Sequence, residues 1–251
     1  MHSRIPESTH SFERANDWIS WISGYETEAE VEAAARQIVE YFDLQSYVFG
    51  ALRRTGAREQ YRYLVGCAPQ WCYVYNQNKW YAIDPFVDYA LHNTSPALAS
   101  DIPLSSPGQG RLLATAAEHG FRSGIVVPVH SASAQWVGVL YLGTSDELER
   151  AQRSFSQHRN LMRAFALELL EWWDGKLRVD GLEDLDLDEL DIDLLYKAQE
   201  QATAEEAARE LGITISRVNS RYERLNRKLE VTSKRHAVEK ALSLGLIKPA
   251  S

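Results

Sequence analysis

The chain has 251 residues, 45% of them hydrophobic, with 27 Lys and Arg against 35 Asp and Glu. That apolar fraction argues against global disorder, and the length suits one large domain or two smaller ones. A formal net charge of −8 excludes a globally basic nucleic-acid coat but leaves room for one basic module. No apolar run approaches the roughly 20 residues that cross a bilayer. Met1–Ser11 has no apolar signal core, and two cysteines, Cys67 and Cys72, cannot build a disulfide scaffold. These features fit a cytoplasmic protein with no membrane partner.

In chain order, Met1–Ser11 reads as a flexible N-terminus. Phe12–Phe42 reads as helical, because Trp18, Ile19, Ile22, Val31, Ala34, Ala35, Ile38, Val39 and Phe42 recur at steps of three and four. Thr27 and Glu30 have capping-box spacing. Ser46–Leu52 and Gln60–Val65 are β-type, with Arg53–Glu59 as their hairpin connection. Pro69–Tyr81 is aromatic-rich and helical at first. Asp84 as N-cap and Pro85 at the first position open another helix. Ser100–Gly110, with two prolines and two glycines, reads as a loop. Arg111–His119 is a short helix stopped by Gly120. Ser123–His130 and Gln135–Gly143 are β-branched and suggest an antiparallel pair. Ser154–Leu177 is a long amphipathic helix. This order implies an α+β fold, an α/β/α sandwich on a mostly antiparallel sheet over residues 12–174. Such a sandwich can hold a pocket between sheet and helices. An acidic linker is expected at 175–188.

Charge is segregated beyond that point. Residues 181–213 carry eleven acids against Lys197 and Arg209; residues 214–251 carry nine Lys and Arg against three glutamates. Residues 189–251 read as an all-α, four-helix module: Leu190–Glu200, Thr203–Leu211 with a Thr203/Glu206 capping box, a third helix from Thr214 or Ser216 to Leu229, and Ser233–Leu244. Two helices joined by Gly212-Ile-Thr-Ile215, the second of them basic, form a helix-turn-helix pattern. Val218, Tyr222, Leu225 and Leu229 would face the core. Ser216, Arg217, Asn219, Ser220, Arg221 and Arg224 would then present donors to phosphates and base edges of double-stranded DNA.

Ala204–Val218, Arg227–Val231 and His236–Ile247 resemble the C-terminal domain of LuxR-type transcription regulators. Lys228-Leu229, Val231, Ala237, Ala241 and Gly245-Leu-Ile247 sit where that family's pattern wants them. The chain departs from it at Gln201, where a glycine is usual, at Ala207 for isoleucine, at Arg217 for threonine, and at Asp191 for glutamate. Upstream, Pro69-Gln-Trp71, Tyr75 and Tyr81–Val87 resemble the family's autoinducer-binding domain, and His119–Pro128 matches a further segment.

The resemblance implies a pocket for an N-acyl homoserine lactone lined by Trp71, Tyr75, Asp84 and Pro85, with Phe86 and Val87 beside them. The chemistry suits that ligand. An indole N–H is a pure donor for a lactone carbonyl, and a carboxylate accepts an amide N–H in a charge-assisted bond. Val48, Phe49, Leu104 and Val127 are further candidate walls for an acyl tail. Two departures, Ala99 for tryptophan and Cys67 for tyrosine, remove aromatic volume and suggest a longer, branched or 3-substituted chain, or neighbours such as Phe86 and Trp80 filling the gap. A homodimer on a pseudo-palindromic operator is implied. No metal, cofactor or catalytic constellation is expected. The histidines are scattered, and there is no nucleophile elbow or phosphate loop. Two other readings stay open: a ligand-independent regulator whose sensor domain is structural, and an enzyme or carrier for acylated metabolites.

Overall fold

The computed structural model describes residues 7–55, 58–131 and 136–248, apart from side chains at 7–13, 53–55, 58–60, 177–181, 183 and 184. It divides into two compact units, Met1–Trp172 and Trp173–Ser251.

Local signals start the helices of the first unit. α1 (Glu7–Ser20) takes in Glu7–Ser11, part of the segment expected to be flexible. α2 (Glu28–Tyr41) opens on the expected capping box: Thr27 N–H donates to Glu30 at 2.9 Å, and the Thr27 side chain accepts from the Glu30 N–H. β1 (Ser46–Thr55) and β2 (Arg58–Gly66) form the first hairpin; its tip at residues 56 and 57 lies outside the described residues. α3 (Pro69–Gln77) and α4 (Pro85–His92) follow, each with proline in its first turn. A short strand, β3 (Ala97–Leu98), leads to α5 (Pro107–Glu118).

α5 corrects the loop expected over Ser100–Gly110. Ser106 caps it, accepting from the Gln109 N–H, and Pro107 occupies the first turn, where its missing N–H costs nothing. β4 (Ser123–His130) and β5 (Trp136–Thr144) make the second antiparallel pair. α6 (Leu148–Asp184) is longer than expected at both ends and runs on through the first part of the acidic stretch.

The five strands stand in the order β2-β1-β5-β4-β3, every neighbour antiparallel. Register decides what meets. Val48 lies opposite Val65 on one side and Tyr141 on the other, and Gly50 opposite Tyr63 and Val139. Because side chains alternate, these residues share one face. On the other face Phe49 and Val129 pack across Gly138, where a Cβ would come within 2.6 Å of Val129. Tyr47 on that face reaches α2, its hydroxyl 3.5 Å from the Glu32 carbonyl. α3, α4 and α5 cover the first face.

The second unit is all-helical: α7 (Glu189–Gln199), α8 (Ala204–Glu210), α9 (Ile215–Lys228) and α10 (Lys234–Leu244). Each begins at a side-chain cap, Asp188, Thr203, Thr214 and Ser233. Leu194, Leu195, Ala207, Val218, Tyr222, Leu225 and Ala241 form its buried centre. Among the described residues no helix is long and apolar enough to cross a membrane.

Candidate functional site

A cavity of about 840 Å³ opens between the sheet and helices α3 to α5. Val48, Gly50, Leu52, Val137, Val139 and Tyr141 supply the sheet side; Trp71, Tyr75, Asp84, Phe86 and Val87 come from α3 and the start of α4. That volume falls within the range of small-molecule sites, and its apolar walls with few convergent polar groups are their usual form.

Asp84 is the polar centre. As the α4 cap it accepts the Phe86 N–H on Oδ1 at 2.8 Å. Its Oδ2 accepts the Tyr75 hydroxyl at 2.8 Å. Burial pushes the carboxyl above the usual carboxylate range, and the bonds from Tyr75 and the backbone N–H groups of Phe86 and Val87 only partly offset it. No cation stands among these influences. Its charge is felt across the cavity: after burial itself, the Asp84 carboxylate is the main influence raising the Tyr63, Tyr75 and Tyr141 hydroxyls.

Trp71 is buried in an aromatic cluster, with ring centroids 5.7 Å from Trp80, 5.6 Å from Tyr75 and 5.9 Å from Phe121. Its indole N–H makes no hydrogen bond to the described residues. Gln109, also buried, donates to the Ile83 carbonyl at 3.0 Å and accepts from Ser105, holding the loop at the cavity rim.

Five expected pocket residues line this cavity: Trp71, Tyr75, Asp84, Phe86 and Val87. Three do not. Pro85 is buried in the first turn of α4. Ala99 packs behind the wall against Phe86, Ile102 and Val126. Cys67 packs behind Trp71, its sulfur 3.8 Å from that of Cys72. Of the candidate tail walls, Val48 lines the cavity, Phe49 and Val127 are buried away from it, and Leu104 is exposed. In the cluster that holds Ala99, Phe86 and Tyr141 pair at 4.6 Å, and Tyr141 in turn stacks on Phe121 at 5.0 Å. Sequence reasoning passed over Tyr61, Tyr63, Gln109, Val139 and Tyr141. The alternation Tyr61-x-Tyr63-x-Val65 and Val137-x-Val139-x-Tyr141 was the signal that could have found the four strand residues among them.

In the second unit, Ser216, Arg217, Asn219 and Ser220 are exposed on α9. Arg221 and Arg224 are differently placed. Arg221 bonds Asp188 at 2.6 Å and Asp191 at 3.0 Å; Arg224 bonds Asp191 and approaches Asp188 at 3.4 Å. The Asp191 side chain is fully buried, and Lys228 closes the cluster on Asp186 at 2.8 Å. These two arginines hold α9 to the start of α7.

Residues 27–171 match the autoinducer binding domain family. The chain belongs to that family. Transcriptional activator AhyR of Aeromonas hydrophila is 28% identical over 192 residues, 73% of this chain and 72% of that protein. Transcriptional activator EchR of Dickeya chrysanthemi is 25% identical over 190 residues, 72% of this chain and 76% of that one. Among solved structures, Escherichia coli SdiA superposes with a TM-score of 0.62 at 17% identity, covering 94% of this chain and 99% of its own. CepR2 of Burkholderia cenocepacia, at 18% identity and a TM-score of 0.56, covers 66% of this chain and 98% of its own. The structural likenesses are ones of fold. The cavity therefore lies in the autoinducer-binding domain of a LuxR-type transcription regulator.

Proposed function

We propose that this chain is an N-acyl homoserine lactone-responsive regulator that binds double-stranded DNA as a homodimer. The observation that carries the reading is the cavity itself, where a free indole donor and a buried carboxylate stand on adjoining helices above an apolar wall. The Trp71 N–H would donate to the lactone carbonyl, and Asp84 would accept the amide N–H. Val48, Leu52 and Val139 would pack the acyl tail. Since Phe86 and Tyr141 fill the space beside Ala99, the room for a longer or substituted tail lies along the sheet toward Tyr61 and Tyr63. CepR2 is described as N-acylhomoserine lactone dependent. SdiA has been solved with octanoyl-rac-glycerol, so a polar head on an acyl tail is common to both.

DNA recognition would fall to Ser216, Arg217, Asn219 and Ser220 at the start of α9, with Arg221 and Arg224 setting the helix rather than reading bases. A two-fold dimer would place two such helices in successive major grooves of a pseudo-palindromic site.

The test is the melting temperature of the purified protein against a panel of acyl homoserine lactones. A ligand at 100 times its dissociation constant adds about 2.7 kcal/mol of stability. A shift confined to one chain-length class is expected, and a soluble protein that no lactone stabilises would sink the reading. Arg217→Ala should then weaken operator binding and flatten its salt dependence with no change in unfolding; unchanged affinity removes Arg217 from the interface.

A further inference from the structure

The chain has two cysteines, and they meet at the wall of the cavity. Cys67 follows β2 directly and packs into the cluster of Trp71, Trp80 and Phe121. Cys72 stands in the first turn of α3, beside Trp71, and lines the cavity. Their sulfurs are 3.8 Å apart. A disulfide needs about 2.05 Å, a gap that side-chain rotation and a small backbone shift can close. We propose that Cys67 and Cys72 form a peroxide-responsive dithiol that closes to an intrachain disulfide and thereby weakens ligand binding.

Position assigns the two roles. Cys72 faces the space through which a small oxidant arrives. Cys67 is half-buried behind Trp71, off the cavity lining, and burial, with the Cys72 sulfur beside it, pushes its thiol up to about 12. Cys72 is therefore the attacking sulfur and Cys67 the resolving one. The Cys72 thiolate attacks one peroxide oxygen, the O–O bond breaks, and hydroxide leaves to give a sulfenic acid. The Cys67 sulfur then attacks the Cys72 sulfur; the S–S bond forms, the S–O bond breaks, and the proton of Cys67 leaves with the hydroxide as water. Two thiols and one peroxide give one disulfide and two waters, with two electrons passing from sulfur to oxygen. A dithiol reductant reverses the step.

The local packing couples this chemistry to the cavity. Gly66, just before Cys67, lies under the Tyr47 ring, where a Cβ would fall 1.9 Å from a ring carbon. Tyr47 is itself fully buried. The end of β2 is thus pinned, and closure must draw the first turn of α3 toward it. That turn carries Trp71 next to Cys72, and Tyr75, the partner of Asp84, one turn further on. The bond also takes the Cys72 sulfur out of the cavity wall. A ligand filling the cavity would in turn shield Cys72.

The effect on ligand binding rests on the lactone reading; the disulfide does not. Full-length protein would be treated with one equivalent of hydrogen peroxide, alkylated and weighed. The expected product is a monomer two hydrogens lighter, with no free thiol, restored by dithiothreitol. Cys67→Ser should stop at a sulfenic acid on Cys72 that dimedone traps, and Cys72→Ser should stay reduced. Surviving thiols, a sulfinic acid on Cys72 with Cys67 free, or a bond between chains would each overturn the proposal. Tryptophan emission gives a readout independent of any lactone: oxidation should change it in the parent and not in Trp71→Phe, and equal changes in both would break the link to the cavity. With a lactone that stabilises the reduced protein, oxidation should weaken binding about tenfold, the scale of one lost hydrogen bond, and peroxide should leave the affinity of Cys72→Ser unchanged. Equal affinity in both redox states would overturn the regulatory half. If no lactone binds the reduced protein, the lactone reading fails, and mass and emission still decide the dithiol.

Discussion

Each unit of the molecule contains an aspartate at a helix start, Asp191 fully buried and Asp84 lining the cavity, and the two are treated in opposite ways. Asp191 of α7 receives two guanidinium groups, from Arg221 and Arg224, and completes a capping box with Asp188. Its charge is compensated within the fold. Asp84 of α4 receives one neutral hydroxyl and backbone N–H groups, and burial lifts its carboxyl. A charge compensated in place serves architecture. A charge left short of partners beside an open cavity is a site prepared for a donor that arrives from outside.

Removing Asp191 should have the largest consequence. Asp191→Ala strands two arginines and deletes a capping-box partner, at a cost of about 3 kcal/mol. Denaturant unfolding followed by helical circular dichroism should show an early transition, while the melting shift given by a lactone persists in the first unit. A loss under about 1 kcal/mol would mean that the cluster is ordinary surface pairing, and the contrast with Asp84 would collapse.

Asp84→Asn should separate stability from binding. The amide oxygen in the place of Oδ1 still caps α4, and the amide nitrogen in the place of Oδ2 donates to the Tyr75 hydroxyl, but the desolvated charge is gone. The ligand-free protein should be as stable as the parent or more so, while lactone affinity falls by about 2 kcal/mol, the worth of a charge-assisted bond. The pH dependence follows from the raised carboxyl. In the folded, ligand-free state Asp84 keeps its proton at pH values where the unfolded chain, titrating near about 3.9, has lost it. Stability should therefore decline as pH rises from that value through the raised one, then level off. A ligand N–H favours the carboxylate, so affinity should rise over the same window. Asp84→Asn should flatten both trends, and identical pH profiles in parent and variant would remove Asp84 from the account.

Trp71→Phe should be smaller still. The ring keeps most of its contact with Trp80, Tyr75 and Phe121, so folding should change by under about 1 kcal/mol. Loss of the N–H should cost about 1 kcal/mol of lactone binding. Retained affinity by calorimetry would assign the indole to the core and leave Asp84 as the sole polar anchor.

These sites differ in how readable they were from the residues alone. Caps are local, so Thr27, Asp84 and Thr203 announced their helices correctly. The start of α5 was equally local, but the prolines and glycines of Ser100–Gly110 were weighed as loop, and Ser106-Pro107 was passed over as cap and first turn. Trp71, Tyr75 and Asp84 are near neighbours in the chain, and their joint spacing singled them out. Tyr63, Val139 and Tyr141 reach the same cavity through strand pairings β2-β1-β5, which join segments some 80 residues apart. No pattern inside one strand states which strand will lie beside it. The ion pairs of Arg221 and Arg224 were hidden for a related reason. Their position on a basic helix suggested DNA, while their actual partners lie some thirty residues upstream.

The smallest effect concerns a departure visible in the sequence and explained by the backbone. Gln201 stands where the family usually has glycine, just past the end of α7, and it adopts φ +61°. That left-handed conformation costs a residue with a Cβ roughly 1–2 kcal/mol, which glycine escapes. Gln201→Gly should recover this, but glycine also loosens the unfolded chain by about 0.4–1 kcal/mol. The net gain should be under about 1 kcal/mol, confined to the helical unit and without influence on lactone binding. Asp186, whose carboxylate holds Lys228, is also left-handed at φ +49°. Glycine there would relieve the same backbone cost but delete the ion pair, so Asp186→Gly should gain less than Gln201→Gly. Equal gains at the two positions would show that the Lys228 bond adds nothing measurable, and that the pairing which distinguishes this unit resides in Asp188 and Asp191.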